Sequence, residues 1–312
     1  MTTVCAAGVD VGRDFFDVGL APSGQVFRTK SGAPGVGSVV DRLTQAGVRR
    51  VVLESIGGYS ARLVRALADA GFEVGVVDPK RIRALRIAEG KLAKTDRLDA
   101  QLIARFALMM PDAARPVPSP DAFQVRALST RRRQLVEMAA MEKLRLKQAL
   151  DEDIASSCRL MIGLLVQERA KVEQQLQQRL LAEPKRRADS LLLQTIPGVG
   201  PAVSMTLMAD MPELGSLDRK AAAHLAGLAP HADESGTRIG AAHIRGGRPC
   251  VRAALYMAAI NAVRSDNGFR REYQALRKAG KPAKVALVAI ARRVVVAANS
   301  ILKNQQPWAK RP

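Results

Sequence analysis

The stretch "AKTDRLDAQLIARFALMM", residues 93–110, decides how the first third of the chain is read. Leu98, Leu102, Ile103 and Phe106 recur three or four apart, which predicts a helix with one apolar face. Asp96 and Asp99, at i and i+3, stand one above the other on that helix. Like charges so placed cost an isolated helix about 0.2–0.5 kcal/mol, and only Lys94 and Arg97 are near enough to offset them. Such a pair is worth keeping where a cation has to be held.

Upstream, residues 4–12 read as a buried strand, and "DFFDVGL" (14–20) with "QVFRTK" (25–30) as a hairpin turned at Pro22-Ser23-Gly24. A helix over roughly 38–47, the strand "RRVVLES" ending at Gly57-Gly58, the helix "YSARLVRALADAG", the strand "FEVGVVDP" and the helix "PKRIRALRIAEG" follow. Alternating strands and helices predict an α/β domain with a mixed sheet over residues 1–115.

Downstream, "PDAARPVPSP" (111–120) carries four prolines and reads as a stiff linker. Residues 121–182 hold Gly163 as their one glycine and no proline. Leu128, Leu135 and Met138, then Met161, Leu165, Val172, Leu176 and Leu180, recur at helical spacing on either side of "DEDIASS". That predicts two long helices over 116–185, either a coiled-coil hairpin or a helical linker packed on its own domain. Residues 186–312 are alanine-rich and read as mostly helical, with a glycine-rich loop at 235–247.

The formal charge of +20 across 312 residues points to a polyanionic partner. Residues 235–312 alone hold 16 basic side chains, against Asp266 and Glu272 as the acids. No run of about 18 apolar residues and no N-terminal signal is legible, so the expectation is a cytoplasmic, nucleoid-associated protein and no membrane. Cys5, Cys158 and Cys250 are odd in number and far apart, as expected of reduced thiols. His224, His231 and His243 lack zinc-ligand spacing.

In "VCAAGVDVG", period-two alternation puts Val9 and Val11 on one face and Gly8, Asp10 and Gly12 on the other. Glycines flanking an acid in a strand admit close approach of something bulky to the backbone. Glu54 ends a buried strand, at the edge where α/β sheets place ligands. Taken singly, each of these acids is an ordinary solvated or capping residue. Together, Asp10, Glu54, Asp96 and Asp99 are four carboxylates on three elements able to meet at one sheet edge. Carboxylates so gathered raise one another's pKa unless a cation intervenes. Mg²⁺ takes oxygen ligands and leaves positions open for water and phosphate, and a pair of ions about 3.5–4 Å apart serves phosphoryl transfer.

"GVDVGRDFFDV", "VVLESIGGYS", "VVDPKRIRALRIAEGKLAKTDRLDAQLIARF", "IPGVGPAVSMTLMADMPELG", "LAGLAPHADESGTRIG" and "RAALYMAA" resemble, in order and through nearly the whole chain, the insertion-sequence-110 family of transposases. These are the four-acid (DEDD) transposases that include the Piv-type pilin-gene invertases. The resemblance implies a RuvC-like domain of RNase H type, a coiled coil and a C-terminal transposase domain. It places Asp10, Glu54, Asp96 and Asp99 at the four acidic positions, as Mg²⁺ ligands.

In the C-terminal part, "LLLQTIPGVGPAVSMTLMADM" has the form of a helix-hairpin-helix turning at Gly198 and Gly200. That turn either packs tightly or offers backbone N–H groups to a phosphate. In "ESGTRIGAAHIRGGRP", Ser235-Gly236 is by composition a turn former. A hydroxyl held amid Arg238, Arg245 and Arg248 is also placed to attack a phosphodiester. By resemblance, Ser235 is the nucleophile that becomes joined to DNA. Where the family carries Lys/Arg-Gly-Asn, this chain reads Gly246-Gly247-Arg248.

The expected activity is therefore DNA transposition or recombination on donor and target DNA, by Mg²⁺-dependent cleavage and exchange through a phosphoserine. A guide (bridge) RNA as partner is implied by resemblance. A homodimer or homotetramer, joined through the coiled coil, is expected because two strands on each of two duplexes need several active sites. Two rivals stand beside this: a metal-dependent junction nuclease that activates water and dispenses with Ser235, and a non-catalytic nucleic-acid-binding protein.

Overall fold

The computed structural model describes residues 5–54, 60–90, 95–110, 115–116, 119–231, 234–235, 238–239 and 242–309. The expected strand end at Gly57-Gly58, Lys94 and Gly236 lie outside the described residues. Two compact units are present, Met1–Pro120 and Asp121–Pro312.

The first unit runs β1 (Ala6–Val11), β2 (Phe15–Ala21), β3 (Val26–Lys30), α1 (Ala33–Gln45), β4 (Arg50–Glu54), α2 (Ala61–Asp69), β5 (Glu73–Val77), α3 (Pro79–Ala88), α4 (Asp96–Met109) and β6 (Arg115–Pro116). The sheet order is β3-β2-β1-β4-β5-β6. β1, β4 and β5 are parallel, while β2, β3 and β6 run antiparallel to their neighbours. The mixed α/β expectation holds here. The proline-rich segment is corrected in part: Arg115 and Pro116 pair with Val76 and Gly75 as a sixth strand. Its place at the sheet edge is where a residue lacking an N–H is tolerated.

Alternation sorts the two faces of the sheet. Ala7, Val9, Val11, Phe16, Val18, Val51 and Leu53 pack with Val39, Leu43, Leu63 and Leu67 of α1 and α2. Ala6, Val52 and Val77 turn the other way, onto Ile82, Leu102, Ile103 and Phe106 of α3 and α4. Asp10, Asp17 and Glu54 share the parity of this second set, so all three face α4.

Helix α4 meets the sheet through glycine. Gly8 and Gly19 are cross-strand partners, and a Cβ on Gly8 would lie 2.1 Å from the Ala104 nitrogen. The bulky object that the strand glycines admit is thus α4 itself. Close approach turns Ala100 and Ala104 inward with Leu102, Ile103 and Phe106. It also rotates Leu98 outward to 38% exposure, contrary to its expected place on the apolar face.

In the second unit, α5 (Pro120–Gln148) and α6 (Glu152–Leu180) form an antiparallel hairpin. Leu135, Ala139 and Leu165 pack in its middle, with Arg132 donating to Glu173 at 2.8 Å. The two helices part at the start of "DEDIASS": α5 ends at Gln148, and the Asp151 side chain caps α6 by accepting from the Asp153 and Ile154 amides. Met138 and Met161, expected inside, are exposed.

The remaining elements are α7 (Pro184–Gln194), α8 (Pro201–Asp210), α9 (Arg219–Leu225), β7 (Pro230–His231), β8 (Glu234–Ser235), β9 (Arg238–Ile239), β10 (His243–Ile244), α10 (Pro249–Ala262), α11 (Gly268–Lys278) and α12 (Ala283–Asn304). Their core contains Leu193, Leu207, Val251, Leu255, Ile290, Val294 and Val295. α12 is by length and composition apolar enough to cross a membrane, with a mean hydropathy of 1.8, although Arg292 and Arg293 interrupt its apolar run. Its apolar side chains are instead part of this core, where Asn299 accepts from the Gly215 amide and donates to the Leu217 carbonyl.

Candidate active site

The four acids read from the sequence converge in the first unit. Val9 lies beside Leu53 on adjacent parallel strands, so Asp10 and Glu54 come one residue later at the same end of the sheet. Asp96 and Asp99 occupy the first turn of α4, whose cap is the Thr95 hydroxyl accepting from the Leu98 amide at 3.3 Å. Unpaired N–H groups and the helix dipole favour negative charge there, which offsets the repulsion expected of the pair. The burial of the two differs. Asp99 is 5% exposed, whereas Asp96 projects to solvent.

Electrostatics registers the convergence. The Asp10 carboxyl is pushed up from 3.8 to about 6, first by burial, then by the charges of Glu54, Asp96, Asp99 and Asp17. Asp17 is a fifth acid, not singled out in the sequence. It is Asp10's cross-strand partner and is nearly buried. A signal for it exists: "GVD" (8–10) and "DVG" (17–19) are mirror images, and the antiparallel register superposes them.

Two arginines that sequence reading also missed neutralise part of this charge. Arg28 on β3 holds Asp17 through Nε and Nη2, and its Nη2 lies 2.9 Å from Asp96. Arg86 on α3 lies 3.0 Å from Asp99. Among the described residues, no group of three His, Cys, Asp or Glu is drawn together tightly enough to hold a metal ion. Asp96 and Asp99 are instead turned to their arginines. The chemistry of the donors nonetheless fits a hard divalent cation: all are carboxylates, and the ionisation of Asp10 is made harder by burial first and then by the charges of the others.

The second unit contains the other candidate residues. β7 pairs with β10, and β8 with β9, where Ser235 stands opposite Arg238. The side chains of Ser235 and Arg238 lie outside the described residues. The adjoining chain is closed by Gly227 and Gly247, both at positive φ (69° and 64°). A Cβ on Gly247 would lie 2.2 Å from the Gly227 nitrogen. Gly247 therefore has a packing reason, while Gly246 faces open space at a positive φ of 71°.

Arg245 is exposed and has no partner among the described residues. Arg248 is engaged: it forks onto Glu213 at 2.7 and 2.5 Å and donates to the Asp210 carbonyl at 2.8 Å. Asp210, buried, in turn accepts from Ser129 and Arg133. Of the two turn glycines, Gly198 (φ 85°) packs on α10, where a Cβ would meet the Ala258 carbonyl oxygen at 2.1 Å. Gly200 caps α8 and faces open space.

Residues 7–153 match the model of DEDD transposases of the IS110 type, described as a transposase. Residues 190–274 match that of the transposase IS116/IS110/IS902 family. The chain is 26% identical over 265 residues to the pilin gene-inverting protein of Moraxella lacunata, covering 84% of this chain and 82% of that protein. It is 24% identical to an IS110 insertion-element protein of Streptomyces coelicolor, covering 95% and 93%. RuvC of T. thermophilus, solved with a Holliday junction substrate, aligns over 36% of this chain and 99% of its own. At 18% identity and a TM-score of 0.30, that likeness is too slight to bear on function.

Proposed function

Because the chain belongs to the IS110 family of transposases, we propose that it cleaves and exchanges DNA strands, with Asp10, Glu54, Asp96 and Asp99 as ligands for Mg²⁺ and Ser235 as nucleophile. The observation that carries this reading is that Asp10 and Glu54 stand at the same end of adjacent strands and Asp96 and Asp99 on the first turn of α4, close enough for their charges to add to burial in raising the Asp10 carboxyl. Bound Mg²⁺ would supply charge to polarise the phosphate and to lower the pKa of the attacking hydroxyl.

Ser235 Oγ forms a bond to phosphorus, the bond from phosphorus to one sugar oxygen breaks, and that oxygen takes a proton. Attack by a sugar hydroxyl of another strand reverses these steps and frees the serine. The bond energy is kept in the phosphoserine, so rejoining needs no ATP. Arg238 and Arg245 are contacts for DNA phosphates in this reading, and the Gly200 end of α8 is a further one. Arg248 acts as a tie to Glu213.

The sheet order, with β2 and β3 antiparallel beside parallel β1 and β4, supports an RNase H-type reading of residues 1–115. A guide RNA that pairs with donor and target DNA fits a chain with 16 basic residues in its last 78. A homodimer or homotetramer through a coiled coil at 116–185 is supported by Leu144, Leu150, Ile154 and Leu160, all exposed on α5, α6 and the turn between them. We place the protein at the nucleoid.

The test is covalent trapping. Denaturing the protein during reaction on its own flanking DNA leaves protein attached to a DNA end, dependent on Mg²⁺ and on the acids and absent in Ser235→Ala. A Ser235→Ala variant that cleaves and rejoins at the wild-type rate would leave the water-activating nuclease as the reading. DNA binding without cleavage, indifferent to Mg²⁺ and to all four acids, would leave a binding protein.

A further inference from the structure

The Asp17–Arg28 pair is built more completely than a stray ion pair across two strands. Asp17 is 3% exposed, and both its oxygens accept from Arg28, from Nε at 3.0 and 3.1 Å and from Nη2 at 2.7 Å. The guanidinium also stands 5.2 Å above the Phe15 ring. Its Nη1 has no acceptor among the described residues, and the side chain is 47% exposed. Arg28 lines a cavity of about 560 Å³ with Val26, Phe27, Thr95, Asp96 and Arg97. Asp96 on that lining, and the other acids whose charges reach Asp10, repel a DNA phosphate. A cation fixed on the same lining lowers that barrier, and one already immobilised loses little entropy on making another bond.

We propose that Arg28 is a catalytic residue of the strand-exchange reaction, its Nη1 donating to a non-bridging oxygen of the DNA phosphate brought to the acids. Asp17 is the positioning residue that holds it there. The proposal rests on the reading of Asp10, Glu54, Asp96 and Asp99 given above. Asp17 is thereby distinguished from those four: its lone pairs are spent on Arg28. The bidentate fork requires arginine, since a lysine ammonium anchored on Asp17 has no second edge to offer.

The experiment uses the full chain in cells carrying its gene with native flanking DNA, with joined ends counted by PCR. Purified protein is followed in parallel by Mg²⁺-induced thermal shift and by anisotropy on a labelled duplex of that DNA. Arg28→Ala should lower recombination about 10²-fold or more, and Arg28→Lys should recover little of it. Both should keep the Mg²⁺ shift. The slope of log affinity against log salt should fall by about 0.9 in Arg28→Ala, the value of one lost phosphate contact. Asp17→Asn should lower recombination too, yet add nothing in the Arg28→Ala background, as a residue acting through Arg28 must. That double variant also removes the buried unpaired carboxylate, so folding is controlled. Wild-type recombination in Arg28→Ala, an unchanged salt slope, or loss of the Mg²⁺ shift with the activity would each overturn the proposal. Asp10→Ala separates the two readings. If it recombines normally the acid site itself is wrong, and if it is dead while Arg28→Ala is active only the role of Arg28 fails.

Discussion

Gly8 on β1 and Gly19 on β2 face each other across the antiparallel pair, and a Cβ built on either would lie 2.6 or 2.7 Å from the same oxygen, the carbonyl of Ala100 on α4. The helix that carries two of the acids is seated on these two glycines. Gly8→Ala or Gly19→Ala should therefore destabilise the protein by about 1–3 kcal/mol, the usual cost of forcing an extra methyl into a packed site. Recombination should fall further than the stability loss explains, because α4 moves away from Asp10. Urea denaturation beside an activity measurement would reveal it. A Gly8→Ala protein of unchanged midpoint and activity would contradict this seating.

The Asp10 carboxyl gives a pH dependence whose sign follows from its direction. Its folded value, about 6, lies above the ordinary 3.8, so the native state keeps a proton that the unfolded chain has lost. Stability of the metal-free protein is thus favoured below about pH 4 and declines as pH rises towards 6. Asp10→Asn should flatten that decline, and saturating Mg²⁺ should reverse it. Thermal melts between pH 4 and 7 with EDTA or Mg²⁺ test both. A decline of equal size in Asp10→Asn would assign it to another group.

The acids should differ when removed from the metal-free protein. Asp10→Ala relieves repulsion and should leave stability unchanged or raised. Asp99→Ala strips Arg86 of its partner in a nearly buried pair, 3.0 Å apart, and should cost about 1–3 kcal/mol. Both should abolish recombination. Equal stability changes in the two variants would show that Arg86 does not depend on Asp99.

Arg245 and Arg248 should separate in the same way. Arg248→Ala breaks a fork onto Glu213 and a bond to the Asp210 carbonyl, so it should lower stability by about 1–3 kcal/mol. Arg245→Ala should leave stability alone and lower the salt slope of duplex binding by about 0.9. An Arg248→Ala protein that melts normally but binds DNA weakly would restore it as a phosphate contact.

Much of the first unit was legible because its signals are local. Alternation in "GVDV" assigns Asp10 to the face opposite Val9 and Val11, and the 3.6-residue period marks α4. Leu98 misled because the glycine seat turns Ala100 and Ala104, beside Leu102, Ile103 and Phe106, to the sheet and leaves Leu98 of the first turn outside. At α12 composition alone is ambiguous, since an apolar helix in a helical core and a membrane span pass the same test of length and hydropathy; here Ile290, Val294 and Val295 are buried in the core. In the second unit the division of two long helices near "DEDIASS" was legible, while the capping role of the Asp151 carboxylate appears only in the structure.

The sequence by itself determined which residue types recur at which spacing. That sufficed for the strand and helix order over residues 6–109, the face on which Asp10 stands, and the family, since these depend on neighbours within a few positions or on motif order. Only the tertiary structure decided which cation stands against which carboxylate. Asp17 and Arg28 are 11 residues apart, and Arg28 and Asp96 are 68 apart. They meet because the β2–β3 register puts Asp17 opposite Arg28, and the Gly8–Gly19 seat brings the start of α4 beside them. Pairings of that range follow from register and close packing, which no local period encodes.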